Sequence, residues 1–152
     1  DLLVSCSAKG YPAEEKNYYR KLIKQVQEGT AEVMTGNAMK AYIDKTHHNN
    51  KEIVTLIESM ANDAGNEVFI RQQTATLNRE CRFDDLKEVN CPAIVIGGLN
   101  DQLVTTNNIK LTALSIKNSI CHLLNQCGHM VPLEQTTKLN ALMRTFILSN
   151  YS

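Results

Sequence analysis

No Gly-x-Ser-x-Gly occurs anywhere in these 152 residues. The seven glycines are Gly10, Gly29, Gly36, Gly65, Gly97, Gly98 and Gly128, and none of them frames a Ser, Cys or Asp. That excludes, within this chain, the strained strand-to-helix turn that presents a nucleophile above a parallel sheet. Charge of one sign is missing too, because 16 Lys and Arg balance 16 Asp and Glu. Without a positive excess, neither nucleic acid nor an anionic membrane surface is an expected partner. No apolar run approaches the ~20 residues that a spanning helix needs, and no secretory signal is readable from Asp1 onward. The five cysteines are odd in number and irregular in spacing, which argues against a disulfide framework. Cys6, Cys91 and Cys121 lie in or beside apolar strand-like runs. Free, buried thiols in a reducing compartment are expected, and with them a cytoplasmic location.

What is present is an ordinary globular composition, 43% hydrophobic and 21% charged, long enough for one core. Leu2-Leu-Val-Ser-Cys6 is short, apolar and β-leaning, and predicts a buried strand over 2–7. From Glu14 to Asn78 the period turns helical. Tyr18, Tyr19, Leu22, Ile23 and Val26 form one stripe, which Gly29 ends; Ala31, Met34, Ala38, Met39 and Tyr42 form a second. After the polar loop Lys45–Asn50, a third stripe (Ile53, Val54, Ile57, Met60, Ala61) runs to Gly65, and Val68, Phe69, Gln72 and Ala75 mark a fourth. Strands are predicted again over 93–97 and 119–124, separated by a helix with Ile109, Leu111 and Leu114. A last helix follows, with Thr136 or Thr137 as its cap. Strand–helix alternation implies an α/β fold with three parallel strands and right-handed crossovers.

Two segments carry the chemistry. Ile94-Val-Ile-Gly-Gly-Leu-Asn-Asp101 is an apolar strand that leads through two glycines into an acid. Leu123-Leu-Asn-Gln-Cys-Gly-His129-Met-Val-Pro-Leu-Glu134 leads a second strand into Gly-His and then a helix. Together they resemble the last third of an α/β-hydrolase, whose triad follows the chain order Ser, Asp, His. The run from Met60 to Gln73, leading on to Leu86 and Cys91-Pro92, is similar to the lid-to-strand run of small esterases of that family. The resemblance covers essentially the whole chain. It implies a C-terminal portion of the fold: a core strand over 1–10, a four-helix lid over 11–90, and core carrying acid and base over 91–152.

The resemblance makes His129 the base and Asp101 the acid that orients it. Their separation of 28 residues leaves room for one helix and one strand, which suits adjacent strand ends. Gly97-Gly98 and Gly128 are expected to turn the chain sharply. Asn100 and Gln102 read as loop hydrogen-bonders, Glu134 as structural at the start of a helix, and His47 and His48 as solvated. Cys121, His122, Cys127 and His129 match no common zinc spacing, so neither metal nor cofactor is expected. Ser5, Cys6 and Ser7 end the first strand, but no strained turn is expected to present them. Lids line acyl pockets in this family, which makes Met34, Met39 and Tyr42 candidates for contact with substrate.

Two readings follow. In the first, the chain provides acid and base to a serine-type hydrolase of small esters or thioesters, the nucleophile lying on other residues. A dehalogenase or a carbon–carbon bond hydrolase of the same fold is a variant of this reading. In the second, it is a non-catalytic half-hydrolase used for binding or assembly. Expected partners are an ester-like small molecule and, across the first strand's edge, the N-terminal half of the fold or a second copy.

Overall fold

The computed structural model describes residues 1–31 and 36–151. Its elements run β1 (Leu2–Val4), α1 (Ala13–Gln27), α2 (Gly36–Lys40), α3 (Lys51–Leu77), β2 (Ala93–Gly98), α4 (Thr106–Leu114), β3 (Ser119–Leu124), α5 (Val131–Glu134) and α6 (Thr136–Tyr151). The three strands form one parallel sheet in the order β1-β2-β3. Leu2 pairs with Ile94, and Ala93 with Ser119. The fold is therefore the α/β arrangement that the alternation predicts.

β2 reads as a continuous apolar run because both its faces are covered, and all six residues are buried. Side chains alternate across it. Ile94 and Ile96 pack with Leu124, Val131, Leu139 and Phe146 on the α6 side. Ala93 and Val95 pack with Ile109, Ala113 and Ile116 on the α4 side. A fully buried Ile is worth roughly 1.5–3 kcal/mol, so this central strand anchors the core. β1 is shorter than predicted. It ends at Val4 because Ser5 takes a left-handed backbone (φ 48), which no strand accommodates.

The region between β1 and β2 is helical, with no strand among its described residues. α1 stops where Gly29 adopts φ +69. Asn50 caps α3 through bonds from the Glu52 and Ile53 amides. The third and fourth predicted helices are one element, broken at Gly65 (φ 70, ψ 174) rather than separated by a loop. Met39, Ile43, Ile53 and Ile57 form the core of this cap, and Met130 and Leu133 pack against it from the far end of the chain.

Two expectations fail locally. Thr136 does not cap α6, since its hydroxyl donates to the Pro132 carbonyl one turn back. Cys91 and Cys121 are exposed, not buried. Cys91 precedes β2, and Cys121 lies on β3, which pairs only with β2 among the described residues. All five cysteines are free.

Cys127 is fully buried, and burial first, then the Glu134, Asp101 and Asp44 carboxylates, push its thiol up to about 12 from 9.0. A raised folded value costs nothing below 9.0, where the thiol is protonated in both states. Between 9.0 and about 12 only the unfolded chain ionises, so stability falls there by up to about 1.4 kcal/mol per pH unit. Urea midpoints at pH 8 and 10.5 should diverge less in Cys127→Ala than in the native chain. Tyr19 and Tyr42, also raised mainly by burial, contribute equally to both proteins.

Candidate active site

Beyond β2, the Leu99 amide donates to the Leu124 carbonyl and the Asn100 amide to the Cys127 carbonyl. These bonds carry the acid loop alongside the loop that follows β3. The Asp101 side chain is fully buried. Its Oδ1 accepts from the Leu103 and Val104 amides at 2.8 and 2.9 Å, a turn that fixes the carboxylate plane. Its Oδ2 lies 2.9 Å from Nδ1 of His129. A carboxylate only accepts, so Nδ1 is the donor, and in the neutral ring this tautomer leaves the lone pair on Nε2. The imidazole is 24% exposed and borders a cavity of about 700 Å³. That combination of an oriented ring and an open face suits proton transfer to or from a bound molecule.

The glycines act by close approach, not by unusual dihedrals, which corrects the sequence expectation. Gly97, Gly98 and Gly128 all lie outside the left-handed region. A Cβ on Gly98 would strike the Cys127 and Gly128 carbonyls. A Cβ on Gly128 would lie 2.8 Å from the Asp44 amide and from the Ile43 carbonyl carbon. Gly128→Ala should therefore cost about 1–3 kcal/mol in urea unfolding. Gly36→Ala, with open space around the added methyl, should cost nothing measurable.

The segment after α2 meets His129 directly. The amides of His129 and Met130 both donate to the Tyr42 carbonyl, and the Tyr42 ring stands edge-on to the imidazole at 6.0 Å. Tyr42 borders the 700 Å³ cavity and a second, about 300 Å³, which Ile57, Met60 and Phe69 line. Met39 borders neither; it is packed among Ile43, Ile53 and Ile57. Met34 lies outside the described residues.

Ser5, Cys6 and Ser7 border the same cavity as His129. The left-handed Ser5 is a strained position that the sequence did not announce, and its Oγ is buried without a hydrogen-bond partner. Burial raises the Cys6 thiol against the opposing pull of Arg79, so it is a poor thiolate. The Ser7 hydroxyl accepts from the Lys9 amide.

Three residues matter more than their sequence context suggested. Glu134, only 7% exposed, accepts from the amides of Gly128, Met130 and Asp44 at 2.6–3.0 Å. Asp44, 2% exposed, accepts from the Thr46 amide and hydroxyl and from Asn100 Nδ2. Burial pushes the Asp44 carboxyl up, but the bonds from Thr46 and Asn100, with His47 nearby, prevail and hold it below its ordinary value. Asp44 with Thr46 two residues on was the one local cue, an Asx turn hidden in a polar loop. His48 is not simply solvated either, since its Nε2 lies 3.3 Å from the Lys40 and Ile43 carbonyls. Gln102 borders the large cavity, as a loop residue beside the acid. Among the described residues, no group of three or more His, Cys, Asp or Glu is arranged to hold a metal ion. Nor is any helix long and apolar enough to cross a membrane.

No protein-family model matches the chain. A thermophilic esterase from Thermogutta terrifontis superposes on 99% of it with a TM-score of 0.90, at 19% identity. The chain has the α/β-hydrolase fold. It covers 56% of that esterase. Monoacylglycerol lipase ABHD6 from Bos taurus is 32% identical over 75 residues, 49% of this chain and 22% of that protein. The 2-hydroxy-6-oxononadienedioate/2-hydroxy-6-oxononatrienedioate hydrolase 2 of Pseudomonas putida is 26% identical over 125 residues, 70% of this chain and 43% of that protein. These relatives are hydrolases, and the chain spans less than half the length of either.

Proposed function

We propose that this chain supplies the acid, Asp101, and the base, His129, of a Ser–His–Asp triad that hydrolyses a small ester or thioester. The serine and the oxyanion donors lie on a segment outside these residues. The observation that carries the reading is the 2.9 Å bond between Asp101 Oδ2 and His129 Nδ1, with the imidazole at a large cavity.

In this reading Nε2 takes the proton of the serine hydroxyl as its oxygen attacks the ester carbonyl. Asp101 stabilises the imidazolium, which passes the proton to the departing alkoxide or thiolate. Water, deprotonated by the same nitrogen, then releases the acid and frees the serine. Residues 11–90 act as the lid, and Tyr42 forms part of the substrate wall between the two cavities. The serine-bearing segment docks at the open edge of β1, in a cytoplasmic protein.

A hydrolase of a carbon–carbon bond is the second reading, favoured by the 125-residue match to the Pseudomonas putida protein. The test is turnover of p-nitrophenyl butyrate by the chain, alone and together with a segment bearing Gly-x-Ser-x-Gly. Activity that needs both parts and His129 supports the proposal. A pair that assembles but stays inert on every ester and thioester offered refutes it in favour of a binding module.

A further inference from the structure

Two more carboxylates are buried beside the acid–base pair, and neither takes part in the proton transfer. All three donors to Glu134 are backbone amides, and two of them, Gly128 and Met130, flank His129. The third belongs to Asp44, in the lid. Asp44 in turn holds the side chain of Asn100, the residue before Asp101. Lid, acid loop and base loop thus meet at one pair of side chains, one bond removed from both members of the pair.

Burying a carboxylate is expensive unless its lone pairs are met, and an apolar residue of similar size would fill the same space at lower cost. What an apolar residue would not do is draw three N–H groups from two distant segments, residues 128–130 and Asp44, to one point. Bonds to an ionised acceptor are shorter and about twice as strong as neutral ones, so they fix the loops more tightly than packing alone. The lid's Tyr42 carbonyl adds two more bonds to the base loop.

We infer that Asp44 and Glu134 are positioning residues: through them the seated lid holds the acid and base loops at the separation at which the Asp101–His129 bond forms. This rests on the reading of Asp101 and His129 as acid and base.

The experiment is NMR of the imidazole in the 152-residue chain, labelled with ¹⁵N-histidine. The Nδ1 proton of His129, assigned by its loss in His129→Ala, should appear far downfield and exchange slowly, with ring ¹⁵N shifts of a single tautomer. Glu134→Gln puts an amide N–H among amide donors, and Asn100→Ala removes the Asp44 contact at a partly exposed site. Each should speed exchange of that proton about tenfold, the scale of one lost hydrogen bond, and move the ring shifts toward mixed tautomers. Ile57→Val, which thins the lid core without touching the network, should leave the signal in place. Unchanged signals in folded Glu134→Gln and Asn100→Ala overturn the inference, as does an equal change in Ile57→Val. If Glu134→Gln does not fold, Asn100→Ala decides by the same criterion. The triad reading fails differently, by an assembled enzyme that stays active without His129 while the signal still responds to these variants.

Discussion

In the assembled enzyme, His129→Ala lowers kcat by ~10⁴–10⁶-fold and leaves KM within a few-fold. The ring touches the proton in flight, not the resting ester, so its loss is felt in the transition state. Asp101→Asn should cost almost as much, about 10⁴-fold, for a reason visible in the geometry. The Leu103 and Val104 amides both point at Oδ1, so the Asn carbonyl must turn to meet them. Its NH₂ then faces His129 Nδ1, which must accept instead of donate. The ring proton moves to Nε2, where the lone pair is needed. The double variant should be scarcely worse than His129→Ala, because the two residues act as one unit. Initial rates with p-nitrophenyl butyrate for the three variants check this. Activity within tenfold of native in His129→Ala sinks the assignment.

Without the serine-bearing segment, the chain shows no burst and no turnover above that of its own His129→Ala variant. A positioned base acting on water contributes only ~10²–10⁴-fold, and the proposed reading puts the oxyanion donors on the second segment. A covalent acyl-enzyme requires a nucleophile on a strained turn, and the described residues offer Ser5 alone in such a backbone. The assay therefore includes Ser5→Ala. A burst that disappears in both His129→Ala and Ser5→Ala would move the nucleophile into this chain and overturn the proposal. A flat trace, with activity restored many thousandfold by the second segment, is the expected result.

Strands β2 and β3 were legible because a doubly covered parallel strand must be a run of β-branched and apolar residues. Asp101 and His129 were legible because each follows such a run through glycine. The reason for those glycines was not, since close approach of Ile109 to Gly97, of residues 127–128 to Gly98 and of residues 43–44 to Gly128 leaves no local mark. The Asp44–Glu134 network was hidden for a related reason. Its donors are mainly backbone amides, which every residue has, so no residue type announces them. Exposure of Cys91 and Cys121 depended on where the sheet stops, and composition says nothing about a sheet's edge.

The bond from the Asp44 amide to Glu134 spans 90 residues, and that from Asn100 to Asp44 spans 56. Contacts so distant along the chain are the slowest to form, because their loop-closure entropy must be met before they return any stability. The helices can form early from local contacts, but the two loops acquire their geometry only when the segments around residues 44, 100 and 134 have come together. A partly folded molecule, whether newly synthesised or locally unravelled, holds its histidine free of its aspartate. Formation of the Asp101–His129 bond is then a late event in folding, and its loss an early sign of unfolding.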